Sequence, residues 1–99
     1  IRINEGDFLS SNKDKENAEK MKIAIDYLKV VSENNLTPRN IRRTVKDGIN
    51  MLNDEELSQG VRAANVISML DEITQDPNIP SFSRVTVWSA VSNLESIRD

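Results

Sequence analysis

The run VRAANVISMLDEITQDPNIPSFSRVTVWSAVSNLESI, Val61 to Ile97, decides the fold. Its apolar residues return every three or four positions, the spacing that places side chains on one face of an α-helix. The first half predicts a helix with the stripe Leu57, Val61, Ala64, Ile67, Leu70 and Ile73, widened by Ala63, Val66 and Met69 until it can touch two neighbours. Gln75-Asp76-Pro77-Asn78 ends that helix, because Pro77 biases Asp76 away from helical backbone angles. Pro80 marks a new start. Phe82, Val85, Trp88, Val91, Leu94 and Ile97, joined by Val87 and Ala90, predict a second helix with Trp88 in its core-facing stripe. The valines suit a strand as well, but the helical spacing continues through Leu94 and Ile97, and no partner strand is evident.

Upstream, Asn53-Asp54-Glu55-Glu56 reads as the N-terminal cap of the Val61 helix, with acidic side chains at the positive end of its dipole. Before it, Ile41, Val45, Ile49 and Leu52 form a narrow stripe interrupted by Gly48, which costs about 1 kcal/mol relative to Ala in a helix interior. Thr37-Pro38 opens that helix, with Thr as cap and Pro at the first helical position. The earliest helix spans Asn12 to Asn34 on Ala18, Met21, Ile25, Leu28 and Val31. Ile23, Tyr27 and Val30 widen its stripe. Residues 1–12 are expected to form an N-terminal arm and residues 13–99 the folded domain.

A shift of 42 residues superimposes Ile25 on Ile67, Leu28 on Leu70, Pro38 on Pro80, Arg42 on Arg84 and Leu52 on Leu94. The two turns, NNLTPRNIR and DPNIPSFSR, resemble those of HEAT repeats, in which the second helix of a hairpin opens with an Arg. A solenoid needs about three repeats to cover its apolar faces, so two hairpins alone should close on each other. The expected fold is all-α, an antiparallel four-helix bundle built from two HEAT-like helical hairpins whose lengths alternate long and short.

The strings PRNIRR (38–43), VRAANVISMLDEITQDPNIP (61–80) and the stretch from Arg84 through Trp88 to VSNLESI (91–97) resemble uncharacterised protein family 0147, small archaeal proteins. The resemblance covers about Ala24 to Ile97 and is most specific from Leu70 to Pro80. It implies a helical bundle similar in layout to bromodomain-like bundles, and an archaeal, cytosolic origin. It implies no activity, so no catalytic or ligand role passes to any residue.

The chain has 99 residues, no Cys and no His, which removes disulfides, thiolate chemistry, Cys/His zinc sites and imidazole-based catalysis. A net charge of −3 disfavours non-specific binding to nucleic acid, and no apolar run reaches the roughly 18 residues of a membrane span. A cytoplasmic, membrane-free protein is expected. Arg39, Arg42, Arg43 and Lys46, at spacings of three, four and seven, fall on one helix face, suited to phosphates of RNA or to a protein partner. The competing reading has Arg42 and Arg84 bonding helix-end carbonyls or the carboxylates of Asp71 and Asp76. Acidic residues at 54–56 and 71–76 read as dipole caps, since bundle di-metal sites use Glu-x-x-His and calcium loops carry a Gly. No catalytic, metal or cofactor residues and no small-molecule substrate are inferred. Tyr27 and Phe82 are candidate interface aromatics. The expected role is a non-enzymatic interaction module binding a protein partner or itself. RNA association through the four cations is the alternative.

Overall fold

A computed structural model describes the backbone from residue 5 and the side chains from residue 12. It contains four helices: α1 (Glu5–Glu33), α2 (Arg39–Leu52), α3 (Gln59–Thr74) and α4 (Ser81–Leu94). Short connections force antiparallel neighbours, and the helices close into a bundle in the order α1, α2, α3, α4, with α1 packing most extensively on α4 and α2. The interior holds Met21, Ala24, Leu28 and Val31 of α1, Ile41, Val45 and Leu52 of α2, Ala63, Val66, Leu70 and Ile73 of α3, and Val87, Ala90, Val91 and Leu94 of α4.

The helix bounds differ from expectation more than the pattern of lengths does. α1, α2, α3 and α4 span 29, 14, 16 and 14 residues, so they alternate long and short as expected, but α3 exceeds its neighbours by only two residues. α1 is already helical at Glu5, ahead of the expected start at Asn12, where the apolar periodicity of the sequence begins. Residues 1–4 of the expected arm lie outside the described residues. α3 begins at Gln59, with Ser58 as N-cap and its hydroxyl accepting from the Val61 amide at 3.3 Å. Asp54 instead closes a turn, and Leu57 precedes the helix as an exposed residue. Thr37 does not cap α2: its hydroxyl is buried against that of Ser83 at 2.8 Å, tying the first turn to α4.

The inward faces of α3 and α4 also differ from the predicted stripes. α3 buries Ala63, Val66, Leu70 and Ile73 and leaves Val61 exposed. α4 buries Ser83, Val87, Ala90, Val91 and Leu94, and turns Phe82, Val85 and Trp88 outward. Period alone cannot choose between two apolar faces of one helix. The winning faces mix branched aliphatics with Ala and Ser, a combination that fills a narrow four-helix interior, which Phe and Trp would overpack. Gly48 faces α3, where an added Cβ would lie 3.4 Å from Met69 Sδ and 3.6 Å from Val66 Cγ1.

Beyond α4 the chain turns at Glu95, and Ile97 still reaches the core. The Asn17 side chain, itself buried, donates to the Arg98 carbonyl at 2.7 Å and to Gln59 Oε1 at 3.0 Å. The Asp99 carboxylate accepts from the Gly60 amide and the Ser58 hydroxyl, both at 2.8 Å, and so covers the start of α3. Lys13 Nζ donates to the Asp99 carbonyl. The Gly60 amide, then the Ser58 hydroxyl, hold the Asp99 carboxyl below its ordinary pKa.

Candidate functional sites: a cationic concavity and an apolar face

The three interhelical turns share one construction. Asn34, Asp54 and Asp76 each accept, through Oδ1, the amide two residues ahead, at 2.8, 3.1 and 2.8 Å. Their backbone carbonyls accept from Thr37, Leu57 and Ile79, three residues ahead. Pro38, Ser58 and Pro80 follow as N-caps, and each carbonyl accepts, at 3.0 Å, from the amide of an arginine: Arg42, Arg62 or Arg84. The 42-residue shift therefore contains a shorter one. Arg62 was missed as the mate of Arg42 and Arg84 because Ser58 stands where they have Pro. The available signal was an Asn or Asp eight residues before each Arg.

The three arginines differ in what their guanidinium groups reach. Arg84 Nε donates to the Thr74 carbonyl at 3.1 Å, the last residue of α3. Arg62 Nε donates to the Leu57 carbonyl at 2.9 Å, and its Nη1 to the Leu52 carbonyl, the last of α2, at 3.1 Å. Both satisfy orphan carbonyls at a helix C-terminus. Arg84 thus bonds a helix-end carbonyl, one of the two kinds of partner expected for it. Arg42 Nε is buried and has no hydrogen-bond partner.

Arg42 instead lines a concavity of about 280 Å3 with Arg39, Arg43 and Lys46, so the four predicted cations do converge. Arg39, Arg43 and Lys46 are exposed and Arg42 is half-buried. The first turn of α2 has neither an acidic residue nor a side-chain cap. Among the described residues, no group of three or more acidic side chains is placed to hold a metal ion.

The second surface spans α1 and α4. Tyr27 is 39% exposed and Phe82 54%. Trp88, expected in the core, is 52% exposed, and Val85 is 57% exposed; with Phe82 they wind across the outer side of α4. Ile23, Tyr27 and Val30, all exposed, recur at four and three residues on α1. Lys22, Ile25 and Lys29 occupy the flank of α1 that faces Leu52 and Asn53, a concavity that Ile23, Tyr27 and Val30 do not line. In α4, Arg84 is the one charged residue, and its Nε is committed to α3. The outer side of α4 therefore presents Ser, Thr, Asn, Phe, Val and Trp without a charge.

A family described as "Uncharacterised protein family (UPF0147)" matches residues 9–97. Among curated relatives, a UPF0147 protein of Metallosphaera sedula is 51% identical over 84 residues, covering 85% of this chain and 94% of its own. One from Aeropyrum pernix is 40% identical over 91 residues, covering 92% of this chain and 100% of its own. A crystal structure from the same family in Thermoplasma acidophilum aligns with a TM-score of 0.79 at 30% identity, covering 85% of this chain and 99% of that one. A crystal structure of a protein of unknown function aligns with a TM-score of 0.77 at 32% identity, covering 100% of this chain and 99% of that one.

Proposed function

The chain belongs to the uncharacterised protein family UPF0147, and on that footing we propose that it is a non-enzymatic interaction module whose α1/α4 face docks on a protein surface. The first occupant to test is a second copy of this chain. The carrying observation is the uncharged outer side of α4 with Phe82, Val85 and Trp88 half-exposed on it, while α1, which packs on α4, exposes Ile23, Tyr27 and Val30. Six large apolar side chains on adjacent helices exceed the scattered exposure normal for a monomer. Interface cores are depleted of charge and enriched in aromatics, as this face is. A domain of about 100 residues buries only about 60–70% of its chain surface on folding, so self-association supplies burial that the monomer lacks. No helix among the described residues is long and apolar enough to cross a membrane.

Light scattering over a concentration series tests this reading, with Trp88→Glu and Arg43→Glu compared to the parent. The expected result is a dimer that Trp88→Glu dissociates and Arg43→Glu leaves intact. A captured protein that depends on Trp88 makes the partner a different chain. A monomer at every concentration, with no Trp88-dependent capture from extract of the source organism, overturns the reading.

A further inference from the structure

The α2 concavity is an arrangement the protein's own stability does not call for. Arg39 and Arg43, Arg42 and Lys46, Arg39 and Arg42, and Arg43 and Lys46 are like-charge neighbours three or four residues apart on one helix, where such pairs repel. They sit toward the N-terminal end, whose partial charge is already positive. The residues that line the concavity are all cationic, so it contains no compensating carboxylate. The two equivalent arginines show what a turn of this construction does with its guanidinium when the role is structural: Arg62 Nε and Arg84 Nε each reach a carbonyl of the preceding connection or helix. Arg42 Nε reaches none, although it is buried, a condition that favours any partner that can be brought to it.

We propose that this concavity binds a ligand carrying two or more phosphate groups. Arg42 turns its planar fork to one phosphate, and Arg39, Arg43 and Lys46 neutralise the others. The first and last of the four cations lie seven positions apart, about 10 Å along the helix axis, which is too long for one small oxyanion and suits phosphates in a row. A single-stranded nucleic-acid backbone and a free polyphosphate both present that chemistry. The net charge of −3 confines binding to this patch.

The experiment uses the full chain at low salt, with inorganic tripolyphosphate and a short single-stranded RNA as separate probes. The arginine Nε–H resonances report the site, and anisotropy of labelled RNA reports affinity. Expected is a shift of the Arg42 Nε–H signal with at least one probe, while the Arg62 and Arg84 signals, held by carbonyls, stay in place. Arg39→Ala with Arg43→Ala should weaken binding at least about tenfold, and for RNA should flatten the slope of log affinity against log salt by about 1.4, two phosphate contacts at about 0.7 each. A response to RNA alone identifies a nucleic-acid backbone as the source, and a response to tripolyphosphate alone identifies a free polyphosphate. Trp88→Glu should leave the titration unchanged, so failure here is separate from failure of the docking face. An Arg42 signal that neither probe moves, or an affinity indifferent to loss of Arg39 and Arg43, overturns the proposal.

Discussion

The first turn and the second run over the same backbone and are held in different ways. In the second, between α2 and α3, Arg62 draws the end of α2 and the approach to α3 together through two carbonyls, and Ser58 and Asp99 take the leading amides of α3. In the first, between α1 and α2, the anchor is the buried Thr37–Ser83 hydroxyl pair, and Arg42 is left among cations. A repeated turn thus carries one side chain in two roles. Where the arginine reaches a carbonyl it is structural, and where another contact has taken over the holding it is available to a ligand.

The difference can be broken from either side. The largest effect is expected for Arg62→Ala, which removes charged donors from two carbonyls and should cost about 2–3 kcal/mol in urea unfolding. Arg62→Lys should recover little of it, because one ammonium cannot reproduce the guanidinium fork. A loss below about 0.5 kcal/mol would mean that the second turn does not depend on its arginine. Thr37→Val attacks the first turn at its own anchor and leaves the Ser83 hydroxyl buried without Thr37. It should cost about 1–2 kcal/mol, with part regained when Ser83→Ala removes the orphan. A double variant less stable than Thr37→Val alone would contradict that assignment.

The smallest effect concerns the Asp99 cap of the second turn. Its carboxyl is held below the ordinary value of 3.8 by the Gly60 amide first and the Ser58 hydroxyl next. A depressed folded-state pKa adds stability that is fully present above the unfolded value and lost as the pH falls through the folded one. The melting temperature should therefore decline below about pH 3.8, and Asp99→Asn should shallow that decline slightly, since the group is fully exposed. An unchanged slope would remove Asp99 from the cap.

Much of this was legible beforehand, for reasons that are physical and local. Leu28, Val31, Ile41, Val45, Leu52 and Leu70 announced themselves by spacing and are buried. The four cations of α2 were placed on one face by arithmetic alone, and they do line one concavity. Two features were hidden. On α4, both Val87/Ala90/Leu94 and Phe82/Val85/Trp88 keep helical period, and only packing against the neighbouring helices decides that the aromatic set faces out. Asn53-Asp54 carries the same cue for a helix cap and for a turn, and here Asp54 closes a turn, so the N-cap of α3, expected at Asn53, lies five residues later at Ser58.

The claim that Arg42 is exempt from the structural duty of its counterparts is tested most directly by urea unfolding of Arg42→Ala beside Arg84→Ala. Arg84→Ala should lose about 1.5 kcal/mol with its bond to the Thr74 carbonyl, and Arg42→Ala should stay within about 0.5 kcal/mol of the parent. Equal losses in the two variants would contradict the account.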